Sequence, residues 1–260
     1  MHVAQEKGSL ALPWEAFVPL FDCFAMSEHA GLPHNEDAVL SEPGYGVFAV
    51  ADGMGGRPGG AQASRVAIRA FMDCLRGVNP AAIASHMALQ NAIAAANAAI
   101  RAVVEADPNM HGMGTTLTAA VLTEEGGRIV HVGDSRAYLF SNGRLEQLTE
   151  DHTLASELVD RKMLAEEAVT SFPFRHVLSR AIGTRSSVEP EIVDFHLMQH
   201  DWLLLATDGF YKALGPEEMA ELILLAAGEN AQGLCRDLIR VAINADPQDN
   251  VTLAVIRRVG

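Results

Sequence analysis

Positive charge and cysteine are both scarce in this chain of 260 residues. Lysine and arginine number 19 against 33 aspartates and glutamates, a formal net charge of −14. A field of that sign disfavours non-specific attraction to nucleic acid or to an anionic membrane, so neither is expected as a partner. The three cysteines, Cys23, Cys74 and Cys235, are odd in number and far apart, with no C-x-x-C and no Cys/His cluster. That argues against a disulfide framework and a structural zinc site, and for a reducing, cytoplasmic home. No run of about 18 uninterrupted apolar residues exists, so no membrane span is expected. The opening MHVAQEKGSLALPWEAFVPLF lacks a basic stretch leading into a clean apolar core and does not read as a signal peptide.

What remains is an ordinary globular composition, 49% hydrophobic and 20% charged. Short strand-like runs, bounded by turn residues, fall at 45–51, 115–122, 128–133, 136–140, 191–197, 201–207 and 250–258. The pairs GG at 126–127 and NG at 142–143 signal hairpins. Helical patterns cover 62–75, 79–106, 215–228 and 230–245, with Asn79 as an N-cap and Pro80 in the first turn of the second. This order lacks the strict βαβα alternation of a doubly wound sheet, so antiparallel sheets with helices packed outside are expected, as one domain over 1–260. The stretch 150–186 has weaker apolar periodicity and reads as a surface subdomain.

The run AVADGMGGRPGGAQAS at 49–64 ends an apolar strand on an acid and continues almost entirely in glycine. A phosphate cradle is one reading, but Pro58 breaks the dinucleotide fingerprint. Ala61 and Gln62 also stand where a P-loop needs Lys and Ser/Thr. The acid is then the residue of interest, and it has company. VFAVADG ends on Asp52, IVHVGDSR carries Asp134, LLLATDG carries Asp208, Asp249 precedes the last strand, and PHNEDAVL holds Glu36 and Asp37. Strand ends gathered at one edge would bring these carboxylates together, which is unfavourable unless a cation neutralises them. Mg²⁺ or Mn²⁺ takes oxygen ligands, and two such ions about 3.5–4 Å apart can activate water for attack on a phosphoryl group.

The ordered segments NEDA, VFAVADGMGG, GMGTTLTAAVL, VHVGDSRAYLF, LTEDHTLASELV, VLSRAIGT, LLLATDGF and QDNVTLAV resemble the bacterial branch of the metal-dependent, type 2C serine/threonine protein phosphatases. The resemblance spans about 22–258. It implies an α+β fold: a central antiparallel β-sandwich flanked by helical pairs in α-β-β-α layers, with a variable flap at about 150–186 that touches substrate. It implies hydrolysis of phosphoserine and phosphothreonine by metal-activated water at a binuclear Mn²⁺ or Mg²⁺ centre. Asp52 would bridge both ions, the Gly53 carbonyl would complete the second, and Asp208 and Asp249 would hold the first. Asp37 would hold metal-bound water with Glu36 beside it, and Asp134 would share a third, weaker ion with Asp208. Phosphorylated proteins, a Ser/Thr kinase and its substrates are the implied partners of a monomer.

The sequence departs from that family in two places. Leu32 stands where the family carries a phosphate-binding arginine, which leaves Arg57 and His34 as candidate substitutes, and Met54 stands where many eukaryotic relatives have a histidine. The missing arginine also motivates an alternative, a catalytically weak member acting as a regulatory binding module. A two-metal nuclease fits the acidic charge poorly. His131 reads as a core residue, and Asp151 and His152 as a helix start.

Overall fold

The strands richest in unbroken apolar sequence are buried on both faces, which requires a covering layer on each side. The computed structural model describes residues 20–54, 59–124, 126–226, 228–245 and 247–259. Its strands are Phe21–Glu28 (β1), Asp37–Glu42 (β2), Val47–Met54 (β3), Gly114–Thr115 (β4), Leu117–Thr123 (β5), Gly126–Val132 (β6), Arg136–Ser141 (β7), Arg144–Gln147 (β8), Glu191–His196 (β9), Trp202–Ala206 (β10) and Val251–Arg258 (β11). One sheet runs β1-β11-β10-β7-β8, the other β2-β3-β5-β6-β9, with β4 attached to β3. The pairings are antiparallel throughout.

Side chains alternate between two cores, as the period of two in a strand dictates. Phe48, Val50, Ala120 and Ile129 meet Leu203, Leu205, Ala254 and Ile256 between the sheets. Their neighbours Val47, Ala49, Ala119 and Val121 face outward onto helices Gly59–Arg76 (α1) and His86–Ala106 (α2). Leu204, Ala206, Leu253 and Val255 face the opposite way, onto Asp208–Ala213 (α4), Pro216–Leu225 (α5) and Ala231–Asn244 (α6). The layers are therefore helix, sheet, sheet, helix, as the resemblance implies.

The start of α2 differs from the sequence expectation. Asn79 and Pro80 open only a short 3-10 turn, and the helix begins at His86 with Ser85 Oγ accepting from the Ala88 N–H at 3.2 Å. By length and composition α2 could cross a membrane, the one such helix among the described residues. Its Leu89, Ala92, Ile93, Ala96 and Ile100 are buried in the core with α1. The NG pair forms the expected tight turn between β7 and β8, with φ of 52° at Asn142 and 76° at Gly143.

Residues 150–186 hold the short helix Leu154–Asp160 (α3), a 3-10 stretch at Glu166–Ser171 and turns. Thr153, not Asp151 or His152, caps α3. The segment returns on itself through Leu154 N–H to Val177 O (2.8 Å) and Ser179 N–H to His152 O (2.9 Å).

Candidate metal centre

The acids stand at strand boundaries that antiparallel order brings to one end of the sandwich. Asp37 opens β2 and is the register partner of Asp52 near the end of β3. Asp134 follows β6, Asp208 opens α4 just after β10, and Asp249 lies just before β11. Glu36, Asp52, Gly53, Asp134, Asp208 and Asp249 line one cavity of about 580 Å³. Asp37 sits behind that wall, 5% exposed, with Oδ2 accepting from Thr207 Oγ1 at 2.8 Å.

The backbone around Asp52 is fully engaged, which leaves its side chain to be aimed. Its N–H donates to Thr116 Oγ1 (2.9 Å), and its carbonyl accepts from Thr116 N–H (2.9 Å) and Thr115 Oγ1 (2.8 Å). On the other rim Asn250, 3% exposed, binds two segments together. Its Oδ1 accepts from Glu36 N–H at 2.8 Å and its Nδ2 donates to His34 O at 3.0 Å. The glycines after two of the acids serve close approach rather than a positive-φ turn. A methyl on Gly53 would strike the Gly60 carbonyl, and one on Gly209 the Asn250 carbonyl.

Crowding raises the acids out of the usual carboxylate range. Burial, then Asp208 and Asp249, pushes Asp37 up to about 8 against hydrogen bonds from Thr252 and Thr207. Burial, then Asp37, Asp208, Asp249 and Asp134, holds Asp52 well above its ordinary value. Burial, then Asp208 and Asp151, takes Asp134 to about 7, and burial and Asp208 raise Asp249. Among the described residues one cation answers them directly: Lys212 Nζ lies 2.5 Å from Asp208 Oδ2.

With this geometry in hand, the comparisons decide the family. Residues 25–233 match protein phosphatase 2C. The chain belongs to the protein phosphatase 2C family. It is 33% identical to the serine/threonine phosphatase stp of Listeria monocytogenes over 86% of this chain and 90% of that protein. It is 37% identical to PstP of Mycobacterium tuberculosis over 85% of this chain but only 42% of that protein's length. The solved catalytic domain of PstP in complex with two manganese ions superimposes with a TM-score of 0.80 at 31% identity, covering 93% of this chain and 99% of that one.

The remaining sequence candidates of this protein phosphatase 2C member fall at the cavity mouth or outside the description. Leu32 and His34 line the mouth, with His176 of the 150–186 segment also on the wall. Arg57 lies outside the described residues, as does most of the glycine loop, residues 55–58, and the N-terminal stretch 1–19. Sequence reasoning missed Thr207, Asn250 and Lys212. The signal for Lys212 was its spacing, four residues after Asp208 and hence one helical turn along the same face.

A second polar group lies beyond the cavity. His131, His152 and Glu191 have ligand atoms within 4.8 Å of one another. The donors around them make a poor metal site. His152 Nδ1 faces the Gly133 N–H at 3.1 Å and Nε2 faces the Arg180 guanidinium at 3.1 Å, so both ring nitrogens meet donors and a fixed positive charge stands where an ion would have to sit. Burial first, then His131 and Arg180, holds His152 down at about 3. Burial likewise holds His131 at about 4, and its Nδ1 pairs with Thr118 Oγ1 at 2.8 Å. His131 is the core residue expected, and His152 anchors the turn that carries Asp134.

Proposed function

We propose that this protein is a metal-dependent protein serine/threonine phosphatase acting at the carboxylate-lined cavity. One observation carries the reading: Asp52, Asp208 and Asp249, from three distant segments, converge on one cavity in which burial and mutual repulsion raise Asp52 and Asp249. The carboxylates and the Gly53 carbonyl there are hard oxygen donors, which suits Mn²⁺ or Mg²⁺. Asp52, the Gly53 carbonyl, Asp208 and Asp249 would hold a pair of ions. Divalent ions bound there supply Lewis acidity toward a phosphoryl oxygen and toward the attacking water.

The chain's own groups do the rest. Asp37, hydrogen-bonded by Thr207 and Thr252 behind the cavity wall, would help position the reacting water, with Glu36 beside it. Leu32 brings no charge to the mouth, so His34 and Arg57 are the candidates to contact substrate phosphate. His176, Val177 and Leu178 wall one side of the cavity, where the 150–186 flap would meet the substrate chain. Cysteine chemistry plays no part. Burial pushes Cys23 up to about 11 and Cys235 to about 12, which leaves both as thiols, and neither lines the cavity.

The substrates on this reading are phosphoproteins made by a Ser/Thr kinase. The free cysteines Cys23, Cys74 and Cys235 support action in a reducing cytoplasm, and a layered core built within one chain supports a monomeric domain. Leu32 at the mouth favours one second reading, a weak enzyme serving as a regulatory binding module. A phosphothreonine peptide with Mn²⁺ separates them. The phosphatase releases inorganic phosphate, and Asp208→Asn or Asp249→Asn lowers the rate by about 100-fold or more with the fold intact. A parent protein that binds the peptide without turnover is the module.

A further inference from the structure

Helix α4 carries Asp208 and, one turn later, Lys212. The Lys212 ammonium lies 2.5 Å from Asp208 Oδ2, a carboxylate whose side chain is 13% exposed. Helix and neighbouring turn are locked together by the residue between. Tyr211 Oη donates to the carbonyl of Asp134 at 2.9 Å, and the Arg136 guanidinium stacks 3.9 Å over the Tyr211 ring. Lys212 is thus rooted beside Asp134 while its head sits on Asp208.

A cation shared by Asp134 and Asp208 would have to compete for Asp208 Oδ2, the oxygen that this ammonium already holds. The geometry points to Lys212 as a built-in replacement for a third ion: its ammonium neutralises the Asp134–Asp208 side, so the centre takes two divalent ions and none at Asp134. This rests on the metal-centre reading above. It also departs from the third ion that the family resemblance implies for Asp134. The physical reason is simple. A side-chain ammonium is tethered and always present, whereas a weakly held divalent ion must be recruited from solution against that same positive charge.

The test counts ions rather than turnover. The full chain is titrated with Mn²⁺ by calorimetry, and crystals grown in Mn²⁺ are examined for anomalous scattering peaks. The parent and Lys212→Arg are expected to take two ions per chain. Lys212→Met and Lys212→Gln, which remove the charge, are expected to gain one further ion placed at Asp134. Adding Asp134→Ala to Lys212→Met should remove that ion and leave the pair. A third ion at Asp134 in the parent, or neutral variants that stay at two, would overturn the assignment of Lys212 alone. A parent that binds no ion at the cavity would overturn the metal centre itself, and this inference with it.

Discussion

Asp37 and Asp52 face one another across neighbouring antiparallel strands, register partners beside the apolar rungs Ala38–Ala51 and Val39–Val50. Like charges directly opposite are destabilising in a sheet. Burial raises both carboxyls, Asp37 adds repulsion at Asp52, and Asp208 and Asp249 add it at Asp37, so the metal-free protein stores an unfavourable cluster where ions would relieve it.

Neutralising one partner is therefore expected to stabilise the metal-free protein while abolishing the benefit of metal. Asp52→Asn should raise Tm in chelator by about 3–6 °C, the equivalent of about 1–2 kcal/mol in a chain of this size. Added Mn²⁺ should no longer raise Tm further. Calorimetry with and without Mn²⁺ reads both effects. A lower Tm for the variant in chelator would mean that the pair is not repulsive.

The pH dependence follows with a definite sign. A carboxyl that titrates higher in the folded state keeps its proton longer there, so the unfolded state binds fewer protons and stability falls as pH rises. Asp37 at about 8 and Asp134 at about 7, against an ordinary 3.8, place that fall between about pH 4 and 8. The buried imidazoles oppose it only below 6.5, because His131 and His152 stay neutral where unfolded histidine is charged. In chelator the protein is thus expected to melt lower at pH 8 than at pH 6.5, and Mn²⁺ to raise Tm more at pH 8. A melting point that is flat over this interval and unmoved by Asp37→Asn would contradict the carboxyl shifts.

Thr207 is the strut of Asp37. Its Oγ1 donates to Asp37 Oδ2 at 2.8 Å and accepts from Thr252 N–H at 3.2 Å. Thr207→Val preserves shape and deletes both bonds, leaving the buried Asp37 carboxyl with Thr252 alone and a buried N–H unsatisfied. The expected cost is about 1–3 kcal/mol of stability. A lower kcat at little changed KM should accompany it, because Asp37 loses its orientation rather than its substrate contact. Denaturant melts and steady-state kinetics check the two parts separately.

The layered fold was largely legible because β3, β5, β10 and β11 are apolar runs too short for helices and bounded by turns. β1, β2 and β8 were not. They are half-buried edge segments of mixed character, held by pairing with β11, β3 and β7 rather than by their own pattern. The short helices α3 and α4 span only seven and six residues, too few to show a period. The carboxylates could be found because each interrupts an apolar strand. The groups that position them could not: Thr207, Asn250 and Lys212 look ordinary until the chain brings residues 36, 134 and 249 to the same edge. Gly53 and Gly209 are small because a neighbouring carbonyl needs the room, a reason visible only in the fold.

The most direct test of the account is phosphate release from a phosphothreonine peptide by one preparation carried through chelation and reloading. The account predicts turnover in Mn²⁺, complete loss after excess chelator is added and the ions are removed by dialysis, and recovery when Mn²⁺ or Mg²⁺ is restored. Full turnover in excess chelator would contradict it.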